Sequence, residues 1–439
     1  MRPLVILFAC FLALPVFAQF EETETRIYNQ FIVMLKPGSR IEQLLENHRE
    51  LNTKKCLSAS MNIWLLERNT TATAEEWLLA LQKDKNIKLA QFNHHVKQRS
   101  LIPDDTYFGD QWGMWNTGQQ SGVPGADIQA PDAWEINHEN VTVNGDTIVI
   151  AIVDGNFDLA HEDINYWTNY NEVPSNGIDD DGNGYIDDVN GWNVEDTSGN
   201  INSTGFDAYH STHCAGIAAA IGNNAKGVAG VCWGAKIMGI NYSSTLESDV
   251  VAAYSYARDM RYLYNTTFGS KGAFVVSTNS SFGVDKEHPV DYPIWCAMYD
   301  SMGAVGILSA GATANGNWNI DTQGDIPTEC PSKWLVAVTN TTRNDARNQG
   351  AAYGKVNVDL GAPGTGIYST VPSPAMYQNM TGTSMSTPHV AGAIAAMYAA
   401  ACPRLIDAYI EHPDSVSLLI KDYLLQSAEW NSALNNITS

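Results

Sequence analysis

Six segments of this chain read as unbroken apolar runs: Thr147–Val153, Lys236–Ile240, Ala273–Thr278, Ala304–Ser309, Leu335–Thr339 and Val356–Leu360. A strand apolar on both faces must be covered on both, which is the condition of a parallel sheet between two helical layers. Helical stretches such as Val250–Tyr264 and Val290–Met302 lie between the runs. The alternation predicts an α/β domain over residues 101–439, a doubly wound, mostly parallel central sheet with helices on both faces. The long interruption at 169–204, rich in Asn, Asp and Gly, reads as a surface-loop insertion.

A smaller unit precedes this domain. Between residues 27 and 93, Phe31–Leu35, Met61–Leu66 and Ile87–Phe92 read as strands. Ile41, Leu44, Leu45 and Leu51 recur at helical spacing, and Ala72–Leu81 reads as a second helix, which predicts a small α+β sandwich. The basic stretch His94–Arg99 reads as an exposed linker. At the N-terminus, Arg2, the apolar run Leu4–Leu14 and Val16-Phe17-Ala18 have the order of a signal peptide over residues 1–18, so the chain is expected to be secreted or periplasmic.

Charge narrows the function classes. With 48 acidic and 25 basic side chains the net charge is -23, which opposes binding to a nucleic-acid backbone. No later segment has the apolar length of a membrane span. Export places the six cysteines that remain after Cys10 in an oxidising compartment. They lack zinc-site spacing. Cys296 and Cys330, each beside turn sequence, are expected to pair, whereas Cys214 lies in an apolar run and reads as a buried thiol.

Three segments carry candidate chemistry. Ile150-Ala151-Ile152-Val153-Asp154-Gly155 is an apolar strand ending in a carboxylate, at the kind of strand end where ligands collect. His210-Ser211-Thr212-His213-Cys214-Ala215-Gly216 opens a helix of small residues, where a first-turn histidine would sit at the edge of a core. In Gly382-Thr383-Ser384-Met385-Ser386-Thr387-Pro388-His389-Val390-Ala391-Gly392, Ser386 or Thr387 can cap a helix with Pro388 in its first turn. Ser384 would then sit just before a positive helix end suited to an oxyanion. Taken singly, each segment is also compatible with a turn or a packed core residue. The last is not the G-x-S-x-G elbow of lipases, because Ser386 stands where the closing glycine belongs.

Together the three segments, in the order Asp, His, Ser, resemble the signature blocks of the subtilisin-like serine proteases over roughly residues 104–430. The resemblance implies Ser384 as nucleophile, His213 as general base and acid, and Asp154 as the group that orients the imidazole. It implies Asn315 as an oxyanion donor, with Asn317 and Asn319 as competitors, and Ser281-Phe282-Gly283 as a strand that pairs with substrate backbone. Departures from the family pattern are Gly155 for Ser or Thr, Ser211 for Gly and Ser386 for Ala. The family also carries an inhibitory propeptide, so residues 19–100 are expected to be a ferredoxin-like propeptide, cut from the peptidase domain between about His95 and Pro103.

Within the insertion, Asp179, Asp181, Asn183, the Tyr185 carbonyl and Asp187 alternate as hard oxygen ligands around Gly184, an EF-like calcium loop without the closing glutamate. The resemblance adds a second calcium site at Asp163 and Asn224. The expectation is a monomeric, calcium-stabilised serine endopeptidase made as a zymogen, acting on polypeptides and inhibited by its own propeptide. The rival readings are an inactive relative that binds peptides and an exported calcium-binding adhesive protein.

Overall fold

The computed structural model describes residues 26–71, 73–94, 101–242, 245–435 and 437–439. The expected signal peptide and most of the expected cleavage window lie outside the described residues. The chain divides into two compact units, up to residue 98 and from residue 99 onward.

The first unit runs β1 (Arg26–Leu35), α1 (Ile41–Asn47), β2 (Asn52–Ser58), β3 (Ile63–Glu67), α2 (Ala74–Lys83), β4 (Ile87–His94). Its sheet has the order β2-β3-β1-β4 with antiparallel pairings throughout, a ferredoxin-like βαββαβ arrangement. Phe31, Val33 and Leu35 alternate into the core from β1 and meet Leu44 of α1 and Leu81 of α2. The sequence reading had no β2. Asn52-Thr53-Lys54-Lys55 is polar because this strand pairs on one side only, and lysines protect such an edge.

The second unit continues with α3 (Ala130–Ile136), β5 (Val149–Asp154), β6 (Gly191–Asn193), α4 (Tyr209–Ala219), β7 (Lys236–Asn241), α5 (Glu247–Thr266), β8 (Val275–Ser280) and β9 (Val284–Asp285). Then follow α6 (Pro293–Gly303), β10 (Leu308–Ala312), α7 (Ile320–Gln323), β11 (Asp325–Ile326), β12 (Leu335–Thr341), β13 (Leu360–Pro363), β14 (Ile367–Thr370) and β15 (Tyr377–Met380). The helices α8 (Thr383–Ala399), α9 (Pro403–Glu411) and α10 (Pro413–Ser427) complete it. The central sheet has seven strands in the order β13-β12-β10-β8-β5-β7-β6, every pairing parallel. Its two faces are separate cores, as the apolar runs demand. Ile150 and Ile152 of β5 pack with residues of α4 and α8, whereas Val149, Ala151 and Val153 face α5 and α6.

Two strands begin later than their apolar runs. Gly306 has φ +101°, a turn conformation, and β10 starts at Leu308; Val356 is exposed, and β13 starts at Leu360. The serine-bearing helix begins earlier than expected. Its N-cap is Gly382, Ser384 lies in its first turn, and Pro388 is inside it. Ser386 and Thr387 are therefore not caps; their hydroxyls donate to Ala362 O and Thr383 O. Cys296 and Cys330 form a disulfide that ties α6 to the turn after β11. Among the described residues, no single helix is long and apolar enough to cross a membrane.

Candidate active site

The chain order reverses between β5 and β8, so the carboxyl ends of these strands border the crevice where open α/β sheets bind ligands. Asp154 is the last residue of β5. Its Oδ1 accepts the Gly155 N–H at 2.8 Å, and its Oδ2 lies 2.7 Å from Nδ1 of His210. The backbone partner replaces the side chain that the family carries at 155. A Cβ there would stand 2.3 Å from Asp207 O, so only glycine fits. The Ser211 hydroxyl donates to Asn156 O and so ties the start of α4 to the same segment.

The histidine assignment is corrected by these contacts. His213 is fully buried, and its Nε2 lies 3.1 Å from Ile367 O and 3.0 Å from Gln378 O. Burial pushes its pKa down to about 3, so it stays neutral and serves to hold the β14–β15 hairpin. His210, one turn earlier, has a side chain 42 % exposed, and the adjacent Asp154 charge raises its pKa above the usual value against an opposing burial effect. Both histidines lie in one motif, three positions apart. The signal that separates them is that His210 occupies the first turn while every residue from 211 to 219 is buried.

Ser384 is placed by the start of α8. Pro388 has no N–H to donate to the carbonyl four residues back. Ser384 O is thereby free to accept from Ser281 Oγ at 3.0 Å and Cys214 Sγ at 3.3 Å. Cys214 Sγ in turn lies within 4.8 Å of the ligand atoms of both Asp154 and His210, which brings α4, α8 and β5 to one locus. Burial holds the Cys214 thiol in its protonated form. The Ser384 hydroxyl donates to Ser281 O at 3.3 Å and forms no hydrogen bond with His210.

Asn315 follows β10 and reaches the same helix end. Its Oδ1 accepts the Thr383 N–H at 3.0 Å and the Thr383 hydroxyl at 3.2 Å, which leaves Nδ2 as the free donor. Its competitors are structural: Asn317 accepts from Arg347, and Asn319 caps α7 through Asp321 N. Ser281, Phe282 and Gly283 continue from β8 and border a cavity of about 240 Å³, which Asn315, Thr383 and Ser384 also line. Gly283 is required here, since a Cβ would meet Ile326 O at 2.1 Å.

The expected metal ligands gather in two places. In the insertion, carboxylate oxygens of Glu172, Asp179 and Asp181 lie within 4.8 Å of one another. Asp179 also accepts from Gly182 N, Asn183 N and Gly184 N, and Asn183 Oδ1 accepts from Tyr185 N, so successive turns fold the loop inward. Asp187 departs from expectation: its two oxygens take the N–H groups of Asn176 and Gly177. Glu172, which the sequence reading passed over, accepts from Asp180 N, Asp181 N and Asp187 N and occupies the centre. At the second place, Asp163 accepts from Asn224 Nδ2 at 2.8 Å and Val228 N at 2.9 Å. Beside it stands Asp105, also unread in the sequence. Its buried Oδ1 has no partner, and burial together with the Asp163 charge raises its pKa to about 6.

Comparison with known proteins bears on this arrangement. The subtilase family model (Peptidase_S8) matches residues 145–437. Thermitase of Thermoactinomyces vulgaris is 32 % identical over 299 residues, covering 66 % of this chain and 83 % of thermitase. The extracellular protease of Xanthomonas campestris pv. campestris is 26 % identical over 357 residues, covering 77 % of this chain and 57 % of that protein. A solved protease structure from Pseudoalteromonas arctica superposes with a TM-score of 0.52 over 75 % of this chain and 93 % of that one, at 24 % identity, a likeness of fold. The protein thus falls in the class of subtilisin-like α/β proteins with a serine-protease site. The chain belongs to the subtilase family.

Proposed function

We propose that this chain is an exported serine endopeptidase in which Asp154, His210 and Ser384 form the catalytic triad. The observation that carries the reading is the 2.7 Å contact of Asp154 with His210 at the sheet's switch point, beside Cys214, whose thiol also reaches Ser384 O. A substrate peptide would lie extended along Ser281–Gly283, adding a strand through main-chain hydrogen bonds. Ser384 would leave Ser281 O and give its proton to His210 Nε2 as it attacks the scissile carbonyl; such contacts tighten on substrate binding. Asp154 on Nδ1 fixes the tautomer and stabilises the imidazolium. Asn315 Nδ2 and the Ser384 N–H, at the positive end of α8, would hold the oxyanion. His210 then protonates the leaving amine, and water hydrolyses the acyl-enzyme. Casein digestion that disappears in Ser384→Ala supports this reading. Wild-type protein that neither digests casein nor takes up a fluorophosphonate would instead favour a peptide-binding relative.

Calcium fits both acidic places, by the three converging carboxylates at one and the orphaned Asp105 oxygen at the other. Glu172, Asp179, Asp181, Asn183 and the Tyr185 carbonyl would hold one ion, and Asp105, Asp163 and Asn224 a second. Bound there, calcium would neutralise carboxylates that otherwise repel one another.

The remaining assignments follow the same reading. Residues 1–18 would be the signal peptide and 19–100 a propeptide that inhibits the 101–439 peptidase domain until it is cut. The extracellular relatives and the ferredoxin-like fold of the first unit support them. N-terminal sequencing of active enzyme should read a start between His95 and Pro103; an intact N-terminus would contradict zymogen processing.

A further inference from the structure

Beside Ser384 and Asn315, the cavity of about 240 Å³ runs back between the Phe282 segment and the Thr313–Asn315 segment. This is where the side chain on the acyl side of the scissile bond must go, since the oxyanion donors and the nucleophile meet at its entrance. Its lining includes two carboxylates, Asp285 and Asp325. They face each other directly across the short β9–β11 ladder, where Asp325 pairs with Asp285 and Ile326 with Val284. Like charges opposite one another weaken a ladder, so the pairing has no structural motive of its own.

Asp325 is 1 % exposed, whereas Asp285 is open to solvent. One thus belongs to the cavity's inner wall and the other to its rim. Asp325 Oδ2 accepts from Thr328 Oγ1 and from Ala314 N at 3.2 Å; among the described residues, Oδ1 has no hydrogen-bond donor. The charged groups that act on it are Asp285 and Glu329, both acidic. The nearby basic side chains are engaged elsewhere: Lys286 lies 5.2 Å from the Trp318 ring centroid, and His288 is bonded to Glu329 at 2.8 Å. Burial, together with the Asp285 and Glu329 charges, opposes ionisation of Asp325 and raises its pKa to about 7, a penalty that a cation entering the cavity would relieve. Phe282 also lines the cavity and is backed by Tyr242 and Trp295, which gives the methylene stem of a long cationic side chain an apolar surface while its head reaches the acid.

We infer that Asp325, with Asp285 at the rim, makes this a cation-selecting pocket, so that the enzyme cleaves after arginine or lysine. The inference rests on the protease reading and supplies its substrate class. The Cys296–Cys330 disulfide anchors the turn that carries Thr328, and so the wall that holds Asp325.

Two measurements test it, one of them independent of turnover. First, binding of benzamidine and of its neutral isostere benzamide to the Ser384→Ala full-length protein and to mature enzyme is read by calorimetry. Benzamidine should bind mature enzyme at least 10-fold more tightly than benzamide, and Asp325→Asn should abolish the preference. Equal binding of the two, or a preference that survives in Asp325→Asn, overturns the inference even if the enzyme is active. Second, peptides that differ only in Arg, Lys, Phe or Leu before the scissile bond are compared by kcat/KM. Arg and Lys should exceed Phe and Leu by at least 10-fold, and Asp325→Asn should lower the Arg-to-Phe ratio by at least 100-fold, with a smaller drop in Asp285→Asn. A preference for Phe or Leu overturns the inference and leaves the protease reading intact. If no peptide is cut and no fluorophosphonate is taken up, the protease reading fails, and benzamidine binding still decides the nature of the pocket.

Discussion

The proposed roles of Asn315 and His210 depend on what holds each side chain. Thr383 fixes the Asn315 carbonyl oxygen, so the amide can only donate toward the cleft. Asn315→Ala should therefore lower kcat about 10²–10³-fold with little change in KM, measured on a peptide substrate. The ion pair with Asp154 raises the His210 pKa above its ordinary 6.5. A protonated imidazole cannot accept the serine proton, so the acid limb of kcat/KM should lie above that value. Asp154→Asn should move the limb to lower pH and reduce kcat about 10⁴-fold. The same pair stabilises the folded state below about pH 6.5, and that contribution disappears as pH rises through the folded pKa of His210. The proposed roles of Asp154 and Ser384 were suggested in the sequence by the family resemblance of their segments, since a strand end and a helix start are ordinary features by themselves. The resemblance points to His213 and the contacts to His210; apolar spacing does not tell one histidine from the other, because α4 is buried almost all round. The contact with Asp154, 56 residues away, and the partial exposure of the His210 side chain do so.

At the level of elements, the parallel sheet was readable because burial on both faces writes unbroken apolar runs. The short strands β6, β9 and β11 were not, since their pairing partners lie outside local sequence, and the edge strand β2 was hidden by its polar residues. The inner wall of the cavity belongs to this second group. Asp325 and Asp285 meet only through a two-residue ladder, and no spacing rule connects positions 40 apart. The disulfide supports that wall from behind. Reducing Cys296–Cys330 should cost about 2–4 kcal/mol of stability by urea unfolding, because it frees a long loop in the unfolded chain. It should also weaken benzamidine binding more than it slows fluorophosphonate uptake, since Ser384 is held by α8 rather than by the tied turn.

Across the whole molecule, an acidic surface and two carboxylate clusters would make stability depend on cations under the proposed calcium assignment. The net charge of -23 works against the compact state, and bound calcium would offset it locally. Calcium at 100 times its Kd should stabilise the protein by about 2.7 kcal/mol, seen as a rise in Tm by calorimetry. Asp181→Asn should remove part of that rise and Asp105→Asn another part, if two separate sites contribute. A Tm unmoved by calcium or chelator would contradict the metal assignments without touching the triad.

The triad itself is tested most directly by the rate at which a fluorophosphonate labels Ser384 in wild type, His210→Ala and His213→Gln. The reagent reads activation of the serine hydroxyl without demanding any particular substrate. If His210 is the base, His210→Ala should slow labelling by several orders of magnitude, up to about 10⁶-fold. His213→Gln, whose amide can still donate to the Ile367 and Gln378 carbonyls, should keep most of the wild-type rate. Rapid labelling in His210→Ala, with loss in a folded His213→Gln protein, would contradict the account.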